Sequence, residues 1–343
     1  MRTVWKVLIA VAVALVVLLA VNAIVIDQQT KGATVTAEGG QILHLPGGDV
    51  QATDAPAESS KPGAPIVLLH CYACSLHWWD QLEPLLTPDH RVIRIDMLGF
   101  GGSEKPAGGY AVEDQAQLIA SALNKLGVQG SVVVGQSMGS EMAVSLAQQS
   151  SQLVDRVVDM SAAADNESGQ IGFLARMGYV PVLGEALWRL TPDFAVVDSF
   201  KDAFAPGYEM SDELEDTIID GCDAMTYTSY DEAYSALEDF RDAQPLDDRM
   251  REALVPVLAI FGEEDQIVDV NAAVAGLQDV PGIRIVTLPG VGHTPQVEAP
   301  EKTAGLIEDF ARAATPEVVG KATPKPSGGK PDYVKRKKDK SKP

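Results

Sequence analysis

Three side chains far apart in the chain have the types that acyl transfer needs. Ser137 stands in the pentapeptide Gly135-Gln136-Ser137-Met138-Gly139, between the β-branched run Val132 to Val134 and a stretch from Met138 to Gln149 whose apolar spacing suits a helix. A G-x-S-x-G between a buried strand and a helix forces a sharp turn that lifts the serine Oγ clear of the backbone at the helix N-terminus. Small residues at Gly135 and Gly139 let strand and helix approach closely. A serine hydroxyl is a weak nucleophile until a base takes its proton, so the next requirement is a histidine held by an acid. His293 lies in LPGVGHTPQVEAPE, in a Gly- and Pro-rich loop from which an imidazole can reach over a sheet edge. Of the other histidines, His44 sits in an early strand, His90 in a turn, and His70 and His77 flank a different loop. Asp265, in VLAIFGEEDQIVD, follows a buried strand at its carboxyl end; Glu263 and Glu264 are its neighbours, and Asp159 at the end of another strand is the reserve acid. The developing oxyanion needs donors, expected from the backbone N–H of Met138 and that of Tyr72, in the loop after the strand ending at His70. The alternative is a Gly-rich turn with solvated loop acids. Three separate loops converging on one edge argue against it.

The elements that must place these residues alternate. Strand candidates are Ile66 to His70, Val92 to Asp96, Val132 to Gly135, Val154 to Met160, Val255 to Phe261 and Ile283 to Leu288. Helical spacing falls between them at Leu76 to Leu86, Val112 to Leu126, Met138 to Gln149, Asn271 to Leu277 and Pro300 to Ala313. That rhythm predicts an α/β fold with a mostly parallel sheet covered on both faces. Thr34 to Thr36 and Gln41 to Leu45 read as two short strands ahead of it, followed by a loop to Pro62. The rhythm breaks over Glu167 to Met250, which carries helical spacing and 19 Asp and Glu against five Lys and Arg. This stretch is expected to be a helical lid over the carboxyl ends of the strands. Its apolar residues, Trp188, Leu190, Phe194, Phe200 and Phe204 with Phe173, Leu174, Met177 and Tyr179, are expected mainly to pack the lid on the core and together to imply an apolar pocket.

Charge and hydropathy set the surroundings. A formal net charge of −21 opposes nucleic acid as a partner, since phosphate binding needs the opposite sign. The last 23 residues, from Lys321, run the other way, with nine Lys and Arg against two Asp, and residues 316–343 are expected to be a disordered basic tail. At the other end, Val7 to Ile26 is a 20-residue run with Asn22 its one polar interruption, long enough to span a bilayer. A cleaved signal is the competing reading, but its apolar region is usually shorter and ends in a small-x-small site that Val21-Asn22-Ala23 matches poorly. Residues 1–26 are therefore expected to anchor the chain in a membrane. Arg2 and Lys6 precede the span and Asp27 follows it, which places residues 27–315 outside the cytoplasm.

From about Thr34 to Ala313 the chain resembles the α/β-hydrolase superfamily, in the lid-bearing branch of small esterases, lipases, C–C hydrolases and cofactor-free haloperoxidases. VLLHCYACSLHWWD, RVIRIDMLGFGGSEKP, VVVGQSMGS, VLAIFGEEDQIVD and GVGHTPQVEAPE carry the likeness. The resemblance implies that Asp96, Gly99, Gly101 and Ser103 supply the D-x-x-G-x-G-x-S loop, Gly262 and Asp265 the acid segment, and Gly292 and His293 the base. The order Ser137, Asp265, His293 is that of the superfamily. Serine at the elbow excludes relatives that use aspartate there, the haloalkane dehalogenases and epoxide hydrolases. Two departures stand out: His70-Cys71 replaces the usual His-Gly, and Ser140 replaces a frequent glycine. Cys71 and Cys74 form a C-x-x-C between strand and helix, which has the context of a redox site. No thioredoxin-sized domain remains to hold one. A disulfide in the oxyanion loop is the alternative, leaving Cys222 unpaired.

The implied function is hydrolysis of a neutral, apolar carboxylic ester through an acyl-enzyme on Ser137, with no cofactor or metal and a small-molecule substrate. C–C or amide hydrolysis, or perhydrolysis, by the same residues is the rival within enzymes. A membrane-tethered binding protein without turnover is the rival outside them.

Overall fold

A computed structural model describes residues 2–163 and 188–313. These residues form an eight-stranded sheet of β1 (Gln41–Leu45), β2 (Gly48–Ala55), β3 (Ile66–Leu69), β4 (Val92–Ile95), β5 (Ser131–Gln136), β6 (Val154–Met160), β7 (Val257–Gly262) and β8 (Ile283–Leu288), in the order β1-β2-β4-β3-β5-β6-β7-β8. β1 and β2 pair antiparallel, β2 runs antiparallel to β4, and every later pairing is parallel. Continuous runs such as Ile66–Leu69 are buried at every position, which is what a parallel sheet covered on both faces demands.

The period of two along each strand divides the core. Val67, Leu69, Ile93 and Val133 face one layer, built by α3 (Val112–Lys125), α4 (Met138–Gln149) and α9 (Val270–Leu277). Ile66, Leu68, Val92 and Val132 face the other, built by α2 (Glu83–Leu86) and α11 (Pro300–Arg312). Between β6 and β7, α5 (Asp193–Ser199), α6 (Asp212–Asp223), α7 (Tyr227–Ala243) and α8 (Leu246–Ala253) form a helical cap. The short α10 (Pro295–Glu298) follows the loop after β8, and α1 (Arg2–Thr30) precedes everything.

The sequence reading is corrected in four places. Residues 34–36 are not a strand: Thr34 N–H donates to Gly102 O at 2.8 Å and Thr36 N–H to the Gln51 side chain, so the segment lies across the loop after β4. The second early strand is β2 instead, reached by a turn in which Gly47 and Gly48 take φ of 112° and 146°, and it occupies much of the stretch expected to be loop. Leu76 to Leu86 is no single helix; a 3-10 turn over Leu76–Trp79 gives way to α2, where Pro84 fits the first turn of a new helix. Leu190 and Phe194 are exposed rather than packed on the core, whereas Phe204 is buried. Phe173, Leu174, Met177, Tyr179 and the basic tail lie outside the described residues.

Candidate active site

The elbow is enforced by sterics. Ser137 has φ 52° and ψ −116°, a strained conformation for a residue with a Cβ, and the turn keeps it there because its N–H donates to Met160 O at 2.7 Å. A Cβ on Gly135 would lie 2.2 Å from Gly139 carbonyl atoms, and one on Gly139 would lie 2.1 Å from Leu69 O. Both contacts are with backbone, which cannot give way. β5 and α4 can therefore close only around glycine at both positions, and that closure brings Met138, at the first turn of α4, against the end of β3.

The base and its acid meet as their loops close. His293 Nδ1 lies 2.8 Å from Asp265 Oδ2, and the Asp265 side chain is fully buried. Asp265 Oδ1 accepts the N–H groups of Ile267 and Val268 at 2.8 and 2.9 Å, so both carboxylate oxygens are committed and the acid cannot swing away. Gly262 permits the approach, since a Cβ there would meet Gly292 O at 2.1 Å. Gln136 Nε2 donates to His293 O at 3.0 Å, joining the base's loop to the residue before the serine. Hydrogen bonds thus close the acid–base leg. No hydrogen bond from His293 to Ser137 Oγ is among those of the described residues, a leg that often tightens only with substrate bound.

Residues not singled out in the sequence hold this base. Glu298 takes the N–H groups of Gly292 at 3.0 Å, Thr294 at 3.2 Å and Ala205 at 2.8 Å, together with the Thr294 hydroxyl at 2.9 Å. It ties the His293 loop to the segment of the cap after α5, and His293 N–H in turn donates to Ala203 O at 3.1 Å. The signal was its place in the same short motif, five residues beyond the histidine. Asp159, the reserve acid, is not the partner of His293. Its Oδ1 accepts Ala162 N–H at 3.2 Å, and burial lifts its carboxyl to about 6.

The loop after β3 is braced from below. Asp96 accepts Leu76 N–H at 2.6 Å, Gly102 N–H at 2.7 Å and Gln51 Nε2 at 2.6 Å, and a Cβ on Gly101 would strike it. Ser103 Oγ donates to Asp96 O at 2.6 Å. His70 is neutral, since burial lowers its pKa, and its partners fix the tautomer: Nδ1 donates to Cys71 O at 2.7 Å while Nε2 accepts Met97 N–H at 3.1 Å. Cys71 and Cys74 are joined by a disulfide that encloses Tyr72 and Ala73. The Tyr72 hydroxyl donates to Tyr230 O in the cap at 2.5 Å. Cys222 is the free cysteine among the described residues, and burial pushes its thiol up to about 12, which makes it a poor nucleophile.

A strained serine at a strand–helix turn, with the next residue back, Gln136, bound to the loop of an imidazole that a buried carboxylate holds, is a candidate arrangement for acyl transfer. Comparison with known proteins gives the family. The model of the alpha/beta hydrolase family matches residues 66–306. An uncharacterized protein of Mycobacterium tuberculosis is 26% identical over 266 residues, covering 74% of this chain and 77% of its own. A 2-hydroxymuconate semialdehyde hydrolase of Pseudomonas putida is 29% identical over 232 residues, covering 65% of this chain and 78% of its own. Among solved structures, a membrane phospholipase A described as a bacterial virulence factor superposes with a TM-score of 0.67 at 19% identity, covering 91% of this chain and 99% of that one. Carboxylesterase CesB from Bacillus subtilis does so at 0.65 and 17% identity, covering 86% and 99%. At these identities the superpositions speak for the fold.

Proposed function

The chain belongs to the alpha/beta hydrolase family, and on that premise we propose that it is a serine hydrolase cleaving neutral, apolar carboxylic esters. His293 takes the proton of Ser137, Asp265 orients and supports the imidazolium, and Ser137 Oγ adds to the ester carbonyl. The N–H groups of Met138 and Tyr72 hold the oxyanion. As the tetrahedral adduct collapses, His293 returns the proton to the leaving alcohol; water then repeats the cycle on the acyl-enzyme. The observation that carries this reading is the 2.8 Å bond from His293 Nδ1 to a fully buried Asp265. Holding one nitrogen of a histidine whose loop is bonded to the residue before the strained serine is what an orienting acid does. We take residues 167–250 as the lid; their 19 acids against five bases disfavour polyanionic substrates.

One N-terminal helix, Val4–Thr30, is long and apolar enough to cross a membrane or to act as a signal. We take residues 7–26 as an anchor, with the body outside the cytoplasm. The likeness to a 2-hydroxymuconate semialdehyde hydrolase supports a second reading, C–C bond hydrolysis by the same residues. Fluorophosphonate labelling tests the nucleophile: the wild type is expected to label and Ser137→Ala not to, and an unlabelled wild type overturns the proposal. p-Nitrophenyl esters of increasing chain length, set beside a vinylogous diketone acid, separate ester from C–C hydrolysis.

A further inference from the structure

Helix α1 does not leave its apolar span as a free stalk. Ala23 is only 2% exposed and Asp27 and Thr30 are partly covered, whereas Leu18, Val21 and Ile24 stay open. Residues 23, 27 and 30 recur at three- and four-residue spacing, so they mark one face of the helix, seated on the body. Ala23 lies inside the apolar run that ends at Ile26. The body therefore grips the helix about one turn, roughly 5 Å, within the stretch that belongs in hydrocarbon. Asp27, the first charge after the span, is bound by Arg189 Nη2 at 2.7 Å and faces the N–H of Tyr227 at 3.3 Å; Arg189 also donates to Met225 O at 2.8 Å. Both ends of that ion pair are largely shielded from solvent. The cap is thereby fixed to the end of the apolar run.

The cap offers apolar surface close in sequence to that pair. Leu190 adjoins Arg189 in sequence and Phe194 follows four residues later, and at 54% and 76% exposure they are the most open large apolar side chains outside α1 among the described residues. Two residues before Leu190, the Trp188 ring stacks on Tyr230 at 5.4 Å, and Tyr230 lies 5.8 Å from the ring of Tyr72 in the loop after β3. A chain of rings thus runs from Trp188, next to Arg189 in the cap, to the candidate oxyanion loop. Tryptophan, tyrosine and arginine favour the boundary between headgroups and acyl chains, and exposed Phe and Leu gain by entering it.

We propose that the face of the cap carrying Leu190 and Phe194 is immersed in the leaflet from which α1 emerges, and that the ester cleaved is a neutral or zwitterionic lipid drawn from that leaflet. This deepens the serine-hydrolase reading and rests on it. The acyl chain follows the rings of Trp188, Tyr230 and Tyr72 while the ester reaches Ser137. The acidic cap selects against anionic headgroups.

The test uses the full chain reconstituted in phosphatidylcholine vesicles, assayed on a reporter phosphatidylcholine in the bilayer and on soluble p-nitrophenyl butyrate. The double variant Leu190→Ser and Phe194→Ser is expected to lose at least tenfold in rate on the bilayer lipid and less than twofold on the soluble ester, and Phe194→Trp to retain lipid hydrolysis. Phe194→Cys, made with Cys222→Ser and labelled with an environment-sensitive fluorophore, is expected to shift to the blue in vesicles and to be quenched by doxyl lipids. Equal loss on both substrates, loss on neither, or a label that quenching lipids do not reach overturns the proposal. Failure of wild-type fluorophosphonate labelling and of butyrate turnover sinks the hydrolase reading and the lipid substrate with it, while the label still decides immersion alone.

Discussion

At the carboxyl edge of the sheet, backbone contacts hold the reactive groups; in the cap, long charged side chains do that work. Ser137 stays where it is because glycines at 135 and 139 let carbonyl groups approach to distances no Cβ tolerates, and Asp265 because two backbone N–H groups and one imidazole occupy its oxygens. The cap is pinned by Arg241 to Glu141 on α4, by Arg189 to Asp27 on α1, and by the Glu298 carboxylate to Ala205. Backbone contacts give a reacting centre little room to wander, as positioning within fractions of an ångström requires. Ion pairs between elements allow a cap to be exchanged or reseated while the chemistry beneath it is kept. The difference teaches where specificity is to be sought: in the part of the chain held by side chains.

If the edge is catalytic and the cap is not, the largest effect belongs to Ser137→Ala. Ester turnover is expected to fall by about 10⁴-fold or more, with the melting temperature unchanged or slightly raised as backbone strain at a φ of 52° relaxes. Equal activity in this variant breaks the comparison at once. Arg241→Leu is the matching test of the cap. Glu141 is fully buried and its carboxyl is pushed up by burial, with Arg241 the main influence opposing that rise. Removing the arginine strands that carboxylate and is expected to cost about 3–5 kcal/mol in urea unfolding. Glu141→Leu combined with Arg241→Leu is expected to recover most of it, and a double variant no better than the single shows that the pair is not the pin.

The same contrast explains what the sequence made legible. Val132 to Gly139 announces itself within eight residues, because a buried strand, a tight turn and a helix are all local patterns; so do the motifs around Asp265 and His293. Their meeting depends on a fold whose strand alternation was also readable. β2 escaped notice because Gly-Asp-Val-Gln-Ala-Thr-Asp-Ala has polar residues at positions that the sheet buries: Gln51 and Thr53 turn inward to serve Thr36, Asp96 and Arg94. A hydropathy pattern misses a strand whose inner face is a hydrogen-bond network. Leu190 and Phe194 were read as packing for the reverse reason, since apolar side chains in an amphipathic stretch look the same whether they face a core or open surface. The Asp27–Arg189 pair spans 162 residues, and nothing local foretells it.

Asp159 sharpens the contrast within the edge itself. It sits one strand from the acid that holds His293, and its ordinary value of 3.8 rises to about 6 chiefly through burial. Below about pH 4 the carboxyl is protonated in folded and unfolded chains alike and contributes nothing. Between 4 and 6 the unfolded chain sheds the proton first, so stability falls as pH rises, and above 6 the penalty is complete. Asp159→Asn is therefore expected to stabilise the protein by on the order of 3 kcal/mol at pH 8 and by nothing near pH 4. Urea unfolding at the two values checks this. A variant equally stabilised at both is responding to packing rather than to the charge.

The smallest effect probes the seam between the two regions, the disulfide loop that carries Tyr72. The bond between Cys71 and Cys74 encloses only two residues, so its chain-entropy contribution is small, about 2 kcal/mol at most. Its greater use is local. Tyr72 is gripped from the cap by its hydroxyl and from the edge by the disulfide, while His70 holds the Cys71 carbonyl from beneath. Replacing both cysteines by serine leaves the hydroxyl's grip and removes the lateral one, so the Tyr72 N–H gains freedom while Met138, fixed by α4, does not. An oxyanion donor matters in the transition state more than in the ground state. The variant is therefore expected to lose about tenfold in kcat at nearly constant KM, with Cys222→Ser unchanged beside it. A loss confined to KM removes Tyr72 from the proposed oxyanion hole and puts it on the substrate wall, and the seam then belongs to the cap.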